Sequence, residues 1–155
     1  MRALLLTLVL AIASGCQQVA SPPLELKPNY VDISPYAEEE RAIVEVLNLY
    51  IEANAISDFS NLPVLQAEVE RFKNINFQRM ITDVKSLDFD NVPKPIGPNH
   101  KSVVVQYRAV LFNPIGSDGI QSDDKQLFMF QKEEGAWKFV SIADVWEGKH
   151  FIAEP

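Results

Sequence analysis

The feature that most constrains this chain is a change of hydrophobic period near Asp83. An α-helix repeats every 3.6 residues and a strand every two. Upstream of Asp83, Ile43, Val46, Leu47, Tyr50, Ile51 and Asn54/Ala55 recur at threes and fours, which predicts a helix over about 35–55. Ser34 suits its N-cap and Pro35 its first turn, and Glu38, Glu39 and Glu40 complement the helix dipole. A second helical stretch over 63–73 carries Val64, Leu65, Val69 and Phe72. A third short helix is expected over 77–83, although 74–77 reads equally well as extended.

Downstream, residues 84–92 alternate, with Leu87 and Phe89 on one face and Ser86, Asp88 and Asp90 on the other. The segment 93–99 holds three prolines and a glycine and reads as a loop. Residues 102–112 (SVVVQYRAVLF) are β-branched and aromatic, hence a long strand. Turn chemistry at 113–119, a strand at 126–132, a Glu-Glu-Gly hairpin signal and a strand from 136 to between 142 and 145 follow. Links of hairpin length make the last strands an antiparallel meander. The expected class is α+β: an N-terminal long helix plus short helices packed on a curved antiparallel four-stranded sheet.

The N-terminus reads as an address. Arg2 is the one charge in the first sixteen residues, and 3–13 is an apolar run interrupted only by Thr7. As a helix that run is ~16 Å long, too short for a ~30 Å hydrocarbon core, so it describes an export signal. Ala13-Ser14-Gly15-Cys16 resembles the lipobox of bacterial lipoprotein signal peptides, with Ala13 where the family usually has Leu. The resemblance implies that Cys16 is acylated, with palmitate-type chains, and becomes the first mature residue. Gln17, not being Asp, implies the periplasmic face of the outer membrane where the source has one. The bland alternative is an ordinary signal peptide with a cysteine near its cleavage site. The expected organisation is 1–15 signal peptide, 16–33 lipidated, proline-containing tether and 34–155 domain. The alternative for the tether's end is an arm packed on the domain through Tyr30, Val31 and Ile33.

Composition limits the function classes. A length of 155 residues suits one domain. The single cysteine excludes an intrachain disulfide framework and a multi-cysteine zinc site. A net charge of −7, or −8 once Arg2 leaves with the signal, argues against nucleic acid as a partner. It argues equally against electrostatic docking onto anionic lipid, which leaves acyl chains as the membrane contact.

The helix at 35–55, the strands VKSLDFDNV and SVVVQYRAVLF, and above all the ending EEGAWKFVSI resemble the NTF2-like (cystatin-like) superfamily over about residues 35–146. The resemblance implies a curved sheet wrapped round a long helix and a cone-shaped cavity. The superfamily hosts isomerases, dehydratases, ligand binders and assembly modules, so the fold does not choose a function. Enzymes of this kind place a titratable pair inside the cone. His100 lies in a proline-flanked loop and His150 in the C-terminal tail, and both read as surface residues. Asp88 and Asp90 read as a solvated strand face; a reversed register makes them candidate acid–base groups. Asp118, Asp123 and Asp124 lack the spacing of a calcium loop. No nucleophile elbow, Walker loop, zinc-protease or dinucleotide motif occurs, so no catalytic residue, metal ligand or cofactor is assigned.

Aromatic residues remain. Tyr50, Phe89, Tyr107, Phe128, Phe130, Trp137 and Phe139 read first as core, and as pocket lining if the cone is not plugged. Phe112 and Trp146 belong to the same set. Arg108 alternates with Tyr107 and is expected to face outward, toward a carboxylate on a neighbouring strand. The expected function is a lipid-anchored, non-enzymatic envelope module that dimerises or binds an envelope protein. A small apolar-ligand binder comes second, and an isomerase- or hydrolase-like enzyme third.

Overall fold

The computed structural model describes residues 27–73, 79–93, 97–111 and 120–145. The segment expected to be a signal peptide, Cys16, Phe112, the expected turn at 113–119, Trp146 and His150 lie outside the described residues. Helix α1 (Glu38–Ile56) is followed by a 3-10 turn (Gln66–Glu68) running into a short helix α2 (Val69–Lys73). Four strands follow: β1 (Arg79–Asp88), β2 (His100–Leu111), β3 (Ile120–Glu133) and β4 (Ala136–Asp144). They form one curved antiparallel sheet in the order β1-β2-β3-β4, so the chain is α+β with a meander.

Helix α1 starts three residues later than expected. Its N-cap is Ala37, with no side-chain cap. Ser34 is occupied elsewhere: its N–H and hydroxyl both donate to the Asp32 carboxylate, at 2.9 and 2.8 Å. At the other end Ser57 takes the left-handed conformation (φ 54°) that glycine usually supplies, and its N–H closes onto the carbonyls of Ala53 and Asn54. Ile43, Val46, Leu47, Tyr50 and Ile51 form the buried stripe that the period requires. The N-terminus of α1 is held to the sheet by Glu39, which pairs with Lys132 at 3.1 Å and Lys101 at 3.8 Å.

The expected helix at 77–83 is absent among the described residues; from Arg79 the chain is strand. That strand carries two bulges. In β1 the register slips between Ile81 and Asp83 and again between Val84 and Ser86, so that Ile81, Val84 and Leu87 face Ala109, Tyr107 and Val105. Each bulge inserts one residue, and an inward set spaced by threes imitates a helical period. β1 also ends at Asp88, four residues before the expected limit. Phe89 has left the strand and packs on Tyr36, ring centroids 5.8 Å apart. β2 and β3 start two and six residues earlier than expected, β4 ends within the expected limits, and the helix expected from 63 begins only at Gln66. The β3–β4 turn is the Glu134-Gly135 pair, with φ 51° and 83°, both positive as a two-residue type I′ hairpin demands.

The core sits between α1 and the concave face of the sheet. It joins Ile43, Leu47, Tyr50 and Ile51 to Val103, Val105, Tyr107, Phe128, Phe130, Trp137 and Phe139. Before α1, Val31 is clamped by Asn48: the Val31 N–H donates to Asn48 Oδ1 at 2.8 Å, and Asn48 Nδ2 donates to the Val31 carbonyl at 2.9 Å. The Asn29 N–H also donates to the Ile81 carbonyl at 3.4 Å, so residues 29–31 are an arm seated on the domain.

Candidate functional site

The strand register sorts the concave face into rows. Phe128 faces Val103 on β2 and Ile142 on β4. Phe130 stands beside Phe139, and two rows from Phe128 in the other direction Asp124 faces Tyr107. The aromatic rows close on one another. Tyr50 from α1 meets Phe139 at 4.9 Å and Phe128 at 5.4 Å, the latter edge to face. Phe139 also touches Phe72 of α2 at 5.6 Å and Phe130 at 5.9 Å, both edge to face. Edge-to-face rings at such separations are the favoured aromatic geometry. Six of the seven aromatics read first as core and otherwise as pocket lining (Tyr50, Tyr107, Phe128, Phe130, Trp137 and Phe139) are buried core, and Phe89 is only partly buried at its edge.

A cleft of about 120 Å3 opens between α2 and β4. Tyr50, Arg71, Phe72, Phe139 and Ile142 line it. Drug-sized ligand sites run to roughly 300–1,000 Å3, so the cleft admits a side chain rather than a whole ligand.

Where α1 gives out, the concave face turns polar. The Arg79 guanidinium pairs with the Asp124 carboxylate and lies over the Tyr107 ring, 5.2 Å from its centroid. Ser122 Oγ donates to Asp124 at 2.8 Å. The Tyr107 hydroxyl donates to Gln126 Oε1 at 2.5 Å, and Gln126 Nε2 donates to Asp144 Oδ1 at 2.9 Å. Four strands thereby contribute to one network. Burial holds the Tyr107 phenol protonated well above its ordinary range, against the pull of Arg79. Burial raises Tyr50 in the same direction. Arg79 Nε is buried without a hydrogen-bond partner. Beyond the network, Leu111 and Ile120 face each other across β2 and β3 and are exposed, Ile120 at 65%.

The remaining expected residues fall apart spatially. Asp123 and Asp124 point to opposite faces, as neighbours in a strand must. Asp123 bonds Lys85 at 2.9 Å and Arg108 at 3.0 Å on the outer face. Those two bonds hold its carboxyl below the usual range. Arg108 therefore has the outward carboxylate partner that alternation implied. Asp88 accepts from the backbone N–H of Asp90 and Asn91 and from Asn91 Nδ2, at 2.9–3.0 Å. These bonds, chiefly those from Asn91, keep it ionised, so it builds the turn after β1 and is a poor proton carrier. His100 is the first residue of β2, not a loop residue, and is half-buried with Nδ1 unpartnered. Among the described residues no three His, Cys, Asp or Glu side chains gather as a metal would need. Among them, too, no helix is long and apolar enough to cross a membrane.

The Arg79–Asp124–Tyr107–Gln126 network escaped the sequence reading. Its signal was present: Asp124, Gln126, Phe128 and Phe130 share a parity, which shows once β3 is extended back to Ile120. No family model, curated protein or solved structure matches this chain.

Proposed function

We propose that the chain is a lipid-anchored envelope protein whose domain, of NTF2-like type, serves as a binding and assembly module rather than as an enzyme. The observation that carries this reading is the occupied interior: aromatic rings from α1, α2, β3 and β4 fill the space that a ligand of ordinary size needs. What the domain offers a partner is its surface. The exposed Leu111–Ile120 pair, at the end of the sheet that α1 leaves uncovered, is the apolar part of it. The anchor rests on the lipobox-like Ala13–Cys16 sequence, with acylated Cys16 as the contact. The partner is a second copy or another envelope protein.

The test uses the full chain in membranes, with a photo-reactive residue at Ile120. A discrete cross-linked product, weakened by a polar substitution at Leu111, is the expected result. A chain that gives no adduct and is strictly monomeric in detergent contradicts the reading.

One observation favours a second reading. The Arg79 Nε, in the network with Tyr107 and Asp124, is a buried donor with no hydrogen-bond partner. A small ligand with an acceptor group would satisfy it. Native mass spectrometry of the protein extracted from its own membranes distinguishes the readings: a small adduct lost on Arg79→Met supports the second.

A further inference from the structure

The residues that precede α1 touch the domain at three separate places. The Asn29 N–H donates to the Ile81 carbonyl at 3.4 Å, and Asn29 Nδ2 donates to Asp83 Oδ1 at 3.5 Å, both on β1. Asn48 of α1 takes both backbone groups of Val31, at 2.8 and 2.9 Å. The Tyr36 ring packs on Phe89, just past the end of β1. Asn29 lies beside Ile81 and Tyr36 beside Phe89, so the arm runs in the same direction as β1, along the seam between that strand and α1. None of residues 29–36 is fully buried. A segment with so little buried apolar surface belongs to the least stable part of a fold. Asn48 binds the backbone of Val31 and not its side chain, so it holds an extended segment whatever copy of the chain supplies it.

The hinge between arm and helix is strained. Glu38, the first residue of α1, has φ 47°, a left-handed conformation unfavourable for an L-residue. Ahead of it Ser34 is folded back on Asp32, and the Tyr36 N–H donates to the Ile33 carbonyl at 3.3 Å. The same residues have a second conformation open to them. Ser34 is a good N-cap and Pro35 a good first helical residue. Released from Asp32, Ser34 can cap a helix that starts at Pro35, about 4.5 Å longer at ~1.5 Å per residue. Glu38 then takes ordinary helical angles, and the arm points away from its own β1.

We infer that the arm is exchanged between two copies of this chain. In the exchanged dimer, residues 29–31 of each copy seat on the α1–β1 seam of the other, and α1 begins at Pro35 in both. The contacts that Asn29 and Val31 make with the seam are the same within one copy as between two, so they cancel. Concentration and the hinge decide the equilibrium. The closed monomer keeps the Tyr36–Phe89 contact and the strain at Glu38; the exchanged dimer loses both and gains a capped helical start. Short hinges under strain are a recurrent source of such exchange. The inference rests on the assembly reading only for its partner, a second copy, and it uses a surface other than Leu111 and Ile120.

The test uses the full chain in detergent, with sedimentation equilibrium for the dimer and isotope-filtered NMR for the contact. Glu38→Gly accepts a positive φ without strain and stabilises the closed hinge, so the dimer dissociation constant should rise at least tenfold. Glu38→Val is β-branched and ill-suited to that φ, so the constant should fall at least tenfold. In a dimer assembled from differently labelled copies, Val31 of one copy should contact Asn48 of the other. A dissociation constant that does not follow this order overturns the exchange, and so do Val31–Asn48 contacts confined within one copy. A dimer of that kind that still cross-links through Ile120 leaves the assembly reading standing. A chain that is monomeric in all three forms overturns the exchange as well. The glycine variant and the contact decide the matter even where Glu38→Val does not fold.

Discussion

Replacing Phe128 by alanine separates a filled interior from an open one. Phe128 is fully buried. Its ring meets Tyr50 at 5.4 Å and 86° and Tyr107 at 6.1 Å and 80°, both edge to face, and Phe139 at 6.2 Å. Phe→Ala in a packed core costs about 3–5 kcal/mol, because the lost transfer energy is joined by the cost of the cavity. Edge-to-face pairs add ~0.5–1.5 kcal/mol each beyond their area, which places this site in the upper half of that range. A domain stable by about 5–15 kcal/mol survives the loss, but its urea midpoint falls by roughly 2 M at a slope of ~2 kcal/mol per M. The assay is equilibrium urea unfolding followed by tryptophan fluorescence. The new void is apolar and should take up a small aromatic guest such as benzene, partly restoring stability. A loss below about 1 kcal/mol would refute the reasoning: Phe128 would then line space that is already empty, and the ligand reading would gain what the assembly reading lost.

Three further outcomes follow from the structure. Asn48→Ala removes both hydrogen bonds to Val31 and should cost about 1–3 kcal/mol, at ~0.5–1.5 kcal/mol per bond. Urea unfolding measures the cost, and faster amide exchange at Val31 locates it; unchanged exchange there contradicts the clamp. Tyr107 has its phenol pKa raised by burial from the ordinary 10.0, so its protonated form is favoured in the folded state. Its contribution is complete below pH ~10 and declines as pH rises further; stability of the native chain should therefore fall more steeply above pH 10 than that of Tyr107→Phe, and parallel curves contradict this. Gly135→Ala meets no atom within 4 Å but forces an L side chain to φ 83°. It should cost about 1 kcal/mol without moving the β3–β4 register, as read by thermal unfolding and by cross-strand contacts between Lys132 and Trp137.

The fold was legible where one physical signal acted alone. Helix α1 followed from its buried stripe, and β2 and β4 from β-branched and aromatic alternation with a Glu-Gly turn between the last two strands. The reading failed where two signals crossed. The β1 bulges space Ile81, Val84 and Leu87 by threes, so the inward set of β1 departs from the strict alternation by which a strand is recognised. Ser34 and Pro35 have the chemistry of a helix start, but Asp32 competes for Ser34 at close range. A local turn won because its acceptor is only two residues away. At the candidate site, the aromatics were visible but their packing was not: whether Tyr50 plugs or merely borders the concave face depends on how α1 crosses the sheet. Arg79 carried no sequence signal beyond its type, since its partners Asp124 and Tyr107 lie about 45 and 28 residues away in the chain.

The claim on which the account turns is the covalent anchor at Cys16. Intact-mass measurement of the protein extracted by detergent from the membranes of cells expressing the full chain tests it directly. The account predicts a mature chain beginning at Cys16 with a mass excess of several acyl chains, and release into the soluble fraction on Cys16→Ser. A chain cleaved at another bond, or one that begins at Cys16 without added lipid, contradicts it.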